Sequence, residues 1–140
     1  MTRTKYLLDT NTCAFLLRGK YNVAARIDQI GIKNCCISEV TVAELKFGKV
    51  LGKLKGGPKY KDQNLEAFLS SIKVYCIESA LDLYAEEKAR LQLAGTPADD
   101  FDLLIGCTSV VHNMVMVTEN IKDFKNIHGI RLENWIDRNA

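Results

Sequence analysis

Four short, β-rich apolar runs are spaced along this chain with segments of helical period between them, and that alternation constrains the fold more than any other feature. The runs are Tyr6-Leu7-Leu8, Cys35-Cys36-Ile37, Val74-Tyr75-Cys76-Ile77 and Met114-Val115-Met116-Val117. Consecutive apolar residues, rather than alternating ones, are what a strand covered on both faces requires. Between the runs, Val23, Ile27 and Ile30 fall on one helical face, Val42, Leu45 and Val50 suggest a second, and Leu65, Phe68, Leu69 and Ile72 make a third. A fourth helix runs from Leu81 to a stop at Gly95, and a fifth from the 99–102 region to about His112. The predicted class is α/β: a short, mainly parallel central sheet between two helical layers. Such sheets bind ligands beyond the carboxyl ends of their strands, so polar residues there carry the most information.

The 140 residues suit one domain spanning 1–140 around one core. Hydrophobic residues at 47% and charged residues at 26% exclude a disordered chain or a coiled coil. Asp9 and Asn11 interrupt the first apolar run, so no secretory signal is read, and no stretch approaches the roughly 20 apolar residues that span a bilayer. A cytoplasmic protein without a membrane segment is expected. The five cysteines, Cys13, Cys35, Cys36, Cys76 and Cys107, show no paired C-x-x-C spacing for zinc and read as small buried hydrophobes rather than a disulfide framework.

A net charge of +2 does not announce a nucleic-acid binder, but its distribution is uneven. Lys46, Lys49, Lys53, Lys55, Lys59 and Lys61 follow one another with no acid between them, among Gly52, Gly56, Gly57 and Pro58. Two readings stand: a solvated, mobile loop, or a phosphate-attracting lip beside an active site.

Three acids mark the strand ends. Asp9 follows the first run directly, where it serves either as a helix N-cap or as a working side chain of the sheet edge. Glu44 lies in Ser38-Glu39-Val40-Thr41-Val42-Ala43-Glu44-Leu45; Thr41-x-x-Glu44 fits a capping box, whereas Ser38 as the cap would place Glu44 inside the helix. Asp102 closes the group Asp99-Asp100-Phe101-Asp102, in which Asp99 or Asp100 is the expected cap and Asp102 is left free. After the last run, Thr118, Glu119, Asn120 and Asp123 add oxygen atoms at the same edge: the Thr hydroxyl and Asn amide suit water-bridging support around a cation, and Glu119 and Asp123 are either further ligands or solvent-facing charges. Clustered carboxylates without His or Cys suit Mg²⁺ or Mn²⁺, which relieves their repulsion and assists phosphodiester hydrolysis.

These residues resemble a known family. Tyr-Leu-Leu-Asp-Thr-Asn-Thr (6–12), Ile-Ser-Glu-Val-Thr-Val-Ala-Glu-Leu-Lys-Phe-Gly (37–48), Phe-Asp-Leu-Leu-Ile-Gly (101–106) and Val-Thr-Glu-Asn-x-x-Asp-Phe (117–124) are similar to the motifs of PIN-domain ribonucleases, most closely the VapC-type toxins of toxin–antitoxin modules. The resemblance runs from residue 6 to the closing segment Ile127–Trp135. It implies a PIN-like three-layer fold and an Mg²⁺- or Mn²⁺-dependent endoribonuclease with Asp9, Glu44 and Asp102 as metal-binding acids. Thr10, Asn11 and Thr118 would support them. It also implies a homodimer and a VapB-type antitoxin that fills the acidic groove. Asn120 departs from the pattern, because many members carry Asp there, and it leaves open whether Glu119, Asp123 or Asp99 supplies the fourth charge.

Other classes fit less well. A haloacid-dehalogenase-type phosphatase needs a second Asp where Asn11 stands, and Gly52-x-x-x-x-Gly57 is followed by Pro58-Lys59 rather than the Lys-Ser/Thr of a P-loop. His112 and His128 lie in no nucleophile motif. A catalytically weak PIN-like domain that only binds RNA or a partner is the remaining alternative.

Overall fold

The computed structural model describes residues 3–140. Its five strands are β1 (Tyr6–Leu8), β2 (Cys35–Ser38), β3 (Lys73–Tyr75), β4 (Val115–Val117) and β5 (Leu132–Glu133). They form one sheet in the order β3-β2-β1-β4-β5, and every pairing is parallel, so the sheet is more uniform than the mainly parallel one expected. The connections include α1 (Thr10–Leu17), α2 (Val23–Ile30), α3 (Glu39–Leu54), α4 (Asp62–Ser71), α5 (Leu81–Leu93), α6 (Asp100–Val111) and the single turn α7 (Ile121–Phe124). Among the described residues, no helix is long and apolar enough to cross a membrane.

Strand alternation explains the layering. Leu8, Cys35, Ile37 and Val117 point into one core with α1, α2 and α4, where Cys13, Val23, Leu65 and Trp135 meet them. Leu7, Cys36 and Met116 point into a second core with Leu91, Leu103, Ile105 and Phe124 from α5, α6 and α7. Burying each such Leu, Ile or Val contributes about 1.5–3 kcal/mol, so both faces of these short strands are held. Gly106 of α6 lies in this second layer because a Cβ there would stand 2.5 Å from Ile127 Cδ1.

Local signals account for the element ends. Ser38 caps α3 by accepting from Val40 N at 3.1 Å, so Thr41 lies in the first turn and the capping-box reading of Glu44 falls. Asp99 caps α6, accepting from the backbone N–H groups of Phe101 and Asp102. Gly95 follows the last turn of α5 at φ 76° and donates its N–H to Gln92, the left-handed stop its position suggested.

Three expectations need correction. α3 continues through Leu54, so Lys46, Lys49 and Lys53 ride on a helix and only the segment from Lys55 to Lys61 is loop. Lone glycines at 48 and 52 do not stop it; the Gly56-Gly57-Pro58 group lies beyond its end. Val50 is therefore exposed, since five residues from Leu45 turn it away from the core. All five cysteines are free and four are buried, but Cys76 lies one residue past the edge strand β3 and is exposed.

One buried ion pair ties the second layer to the chain after α7. Glu87 of α5 accepts two bonds from Arg90, at 2.7 and 2.8 Å, and one from the backbone N–H of His128 at 2.6 Å. The Arg90 bonds hold its carboxyl well below the usual range, at about 2, despite burial. A carboxylate with a depressed folded-state pKa stabilises above its unfolded value and loses that effect as pH falls toward 2. Glu87→Gln is expected to cost about 2 kcal/mol at pH 7, with wild type and variant converging between pH 4.5 and 2 in denaturant titrations; equal stability at pH 7 would show that the pair is dispensable.

Candidate active site

The central strand β1 has β2 on one side and β4 on the other, so the chain's excursions diverge from it in opposite directions. A crevice at the carboxyl end of β1 is the consequence. Asp9 sits in it as the first residue past the strand, donating its own N–H to Val117 O at 3.0 Å. Its extended backbone makes it the N-cap of α1: Oδ1 accepts from Thr12 N at 2.8 Å. Oδ2 accepts from the Thr118 hydroxyl at 2.6 Å, and that hydroxyl also accepts from Asn120 N at 3.0 Å. The cap and the sheet-edge readings of Asp9 are thus both true, one for each oxygen. Burial raises its carboxyl pKa; the Thr118 and Thr12 bonds oppose that rise and the Glu119 charge adds to it.

Glu44 comes from the middle of α3. Thr10, in the first turn of α1, donates to Glu44 Oε1 at 2.6 Å, with the buried Thr41 hydroxyl 3.1 Å away. Residues 10 and 44 therefore meet across the α1–α3 contact. Asp102 enters from the first turn of α6, and no hydrogen bond engages its carboxyl among the described residues. Its pKa is pushed up to about 6, by burial first and then by repulsion from Asp99, Glu44, Asp123 and Asp9. Four carboxylates from four parts of the chain act on this one side chain.

The remaining candidates separate. Glu119 is clamped bidentately by Arg138, at 2.6 and 2.7 Å, which lowers its pKa. Asp99 is engaged as the α6 cap and Asp123 is an exposed acid of α7. Asn11 and Asn120 line a cavity of about 580 Å³ together with Glu44, Glu119, Lys49 and Lys59. Lys55 and Arg18 line it too, so part of the lysine-rich stretch borders the acidic edge. Lys53 does not: it pairs with Asp62.

Among the described residues, no three His, Cys, Asp or Glu side chains are gathered into a ready-made metal-ligand set. The acids are neighbours, with Asp9 and Glu44 held by threonine and backbone donors rather than by each other. The donor chemistry still fits a hard divalent cation: all-oxygen and anionic, with Asp102 raised to about 6 by burial and then by its neighbouring acids.

Sequence reasoning missed Arg138 and Thr41. Arg138 lies over the Tyr21 ring at 4.5 Å and the Phe15 ring at 5.3 Å while bonding Glu119. Nothing local links a residue to a partner 19 positions earlier. Thr41 looked like a cap signal and is instead a buried hydroxyl beside Thr10.

No protein-family model matches the chain. It is 30% identical over 132 residues to the tRNA(fMet)-specific endonuclease VapC of Salmonella typhimurium, covering 94% of this chain and 98% of that one. It is 31% identical over 133 residues to ribonuclease VapC2 of Rickettsia felis, covering 93% and 97%. Two solved structures superpose with a TM-score of 0.80 each: VapBC2 of Rickettsia felis bound to a promoter DNA fragment, at 29% identity over 94% of this chain and 99% of that one, and DNA-bound VapBC of Salmonella typhimurium, at 30% over 95% and 99%.

Asp102 carries a pH prediction. A carboxyl whose folded pKa is raised stabilises below its unfolded value, and that stabilisation is lost as pH rises through about 6. In metal-free buffer, Asp102→Asn should be about 1 kcal/mol more stable than wild type above pH 6.5, after allowance for solvent screening, and equal at pH 4. Thermal melts across that range in EDTA decide it, and a destabilised variant at pH 7 would mark Asp102 as a structural group.

Proposed function

Because the chain belongs to the VapC family of PIN-domain ribonuclease toxins, we propose that its 140 residues act as one cytoplasmic PIN domain, a divalent-metal-dependent endoribonuclease. The observation that carries this reading is the raised Asp102 carboxyl, which registers Asp9, Glu44, Asp99 and Asp123 together; Asp99, Asp102 and Asp123 line one cavity of about 320 Å³, and Glu44 lines the neighbouring one that the lysines border. In this reading Asp9, Glu44 and Asp102 hold Mg²⁺ or Mn²⁺, with Asn120 at the neutral fourth corner. When bound, the ion supplies charge neutralisation at the phosphorus in its transition state and acidifies an attacking water.

The chain's own groups have separate tasks. Thr118 and the α1 backbone fix the orientation of Asp9, and Thr10 fixes that of Glu44, so neither carboxylate rotates away when an RNA phosphate arrives. Lys49, Lys55 and Lys59 attract the flanking phosphates. Arg138 keeps Glu119 paired, which leaves Asn11 and Asn120 as the uncharged polar wall.

A cognate VapB-type antitoxin is the proposed partner, supported by the solved relatives, which are VapBC complexes. Its inhibitory segment would place an Arg against the acids, where a bidentate guanidinium takes the charge-balancing role of the cation. The active form is proposed as a homodimer.

The deciding assay is cleavage of a mixed tRNA and mRNA pool by purified protein with Mg²⁺ or Mn²⁺. Asp9→Asn should lower cleavage at least about 100-fold, the scale of losing one preorganised charged group. Wild type and Asp9→Asn cleaving equally poorly would instead favour the binding-only reading. A second expectation concerns the lip: Lys49→Gln, Lys55→Gln and Lys59→Gln together should weaken RNA binding about tenfold and flatten its salt dependence. Unchanged anisotropy titrations would return that segment to a merely solvated one.

A further inference from the structure

The opposite edge of the sheet carries the opposite charge. Because all five strands run parallel, their starts lie side by side, and a basic or imidazole side chain stands at each. Lys5 precedes β1, Lys33 lies two residues before β2, and Lys73 opens β3. His112 with Asn113 leads into β4, and Arg131 precedes β5. At a strand spacing of about 4.8 Å the rim is roughly 19 Å across.

This rim is concave and partly preorganised. Arg3, Lys5, Lys33, His112, Asn113 and Arg131 border a cavity of about 580 Å³ that no carboxylate lines. Lys5 Nζ donates to Lys33 O at 3.1 Å, which draws two strand starts together. Arg131 donates to Asn113 O and Oδ1 at 2.8 and 3.2 Å, bridging the turn before β4. Among the described residues neither Lys5 nor Arg131 is paired with an acid, so the remaining N–H donors of both face solvent uncompensated. Beside them is an aromatic shelf: His112 packs against Tyr75 with ring centroids 4.7 Å apart, and Lys73 lies over the Tyr75 ring at 4.7 Å. A smaller hollow next to it is bordered by Tyr75, Ser79 and His112, with Glu78 as its one acid. Cations that track a backbone, next to a face on which a base can stack, are the two requirements of a single-stranded nucleic-acid site.

We propose that the amino-terminal rim of the sheet, centred on Lys5, Lys33 and Arg131, is a second RNA-binding surface that grips substrate phosphates away from the scissile bond. The inference rests on the reading of the chain as a ribonuclease. It explains why a protein whose cleavage edge gathers acids carries a basic or imidazole side chain at the other end of every strand. An RNA longer than the acidic crevice would be held at both edges, and short RNA would be held at one.

The test uses the full chain in EDTA with a fluorescent 2′-O-methyl RNA oligonucleotide of mixed sequence, so that neither cleavage nor metal contributes. Lys5→Gln, Lys33→Gln and Arg131→Gln combined should weaken binding about tenfold at low salt and flatten the plot of log affinity against log salt by about two. Lys33→Gln with Lys73→Gln changes only exposed side chains and should give a smaller loss in the same direction, which guards against misfolding of the triple variant. In Mg²⁺, cleavage of a minimal oligonucleotide should stay within about twofold of wild type while cleavage of full-length tRNA falls. Unchanged affinity and slope in both variants would overturn the proposal. So would equal loss of poly-glutamate binding, which would make the rim a general acidic-peptide surface, or full competition by inorganic phosphate at matched ionic strength, which would make it a small-anion site. If wild type cleaves nothing yet the rim variants still lose RNA, the ribonuclease reading fails and the binding surface stands.

Discussion

The carboxylate of Asp9 is bound on both oxygens, by the backbone of the helix that follows it and by a hydroxyl 109 residues later in the chain. An anion this buried carries a desolvation cost of several kcal/mol unless donors face it, and two do. The rise in its pKa shows that they offset burial only in part. The same pair of bonds aligns the start of α1 with the end of β4, and Thr118 in turn sets the backbone of Asn120. Thr10 then follows Asp9 into α1, and its hydroxyl carries the alignment across to Glu44. The crevice is therefore one connected hydrogen-bonded frame from β4 through α1 to α3, with the Asp102 carboxyl facing it from α6 and making no hydrogen bond among the described residues.

Much of this was readable from residue order because the signals are local. Short apolar runs with helical segments between them specify a two-faced sheet, and a parallel sheet of that kind leaves few topologies. Ser38, Asp99 and Gly95 act within three residues of themselves, so their capping roles were legible. Strand β5 was not, since two residues carry no period and their pairing depends on β4 already being in place. Cys76 was misread because an apolar window does not reveal that its strand lies on the sheet edge. The length of α3 was misread because lysines and isolated glycines look like loop while costing a helix only about 1 kcal/mol per glycine.

The site followed the same division. That Asp9, Glu44 and Asp102 share one edge was legible, as each follows or faces a strand end. That they approach without forming a closed ligand set was not, because it depends on which hydroxyl each carboxylate meets. Nor does a net charge of +2 disclose that acids and lysines meet at the carboxyl edge while the amino-edge cavity is lined by cations without a carboxylate. Composition sums over the molecule, whereas a parallel sheet sorts residues by whether they precede or follow a strand. Polarity across the sheet is a property of register, and register appears only when the strands pair.

Asn120 and Arg138 make sense together on this account. Burial first, and then four neighbouring acids, already hold the Asp102 carboxyl up at about 6, so part of it is protonated close to neutrality. A further negative charge at position 120 would push it higher, and a free Glu119 would add to the charge that already raises Asp9, leaving less carboxylate able to ligate a cation. The uncharged amide at 120 avoids the first, and the guanidinium of Arg138 cancels the second. Arg138 does so from outside the cluster, held over Phe15 and Tyr21, so the balance is set without placing a cation among the ligands themselves. A neutral fourth corner is then a way of keeping the proposed ligand charge within what one divalent ion can neutralise.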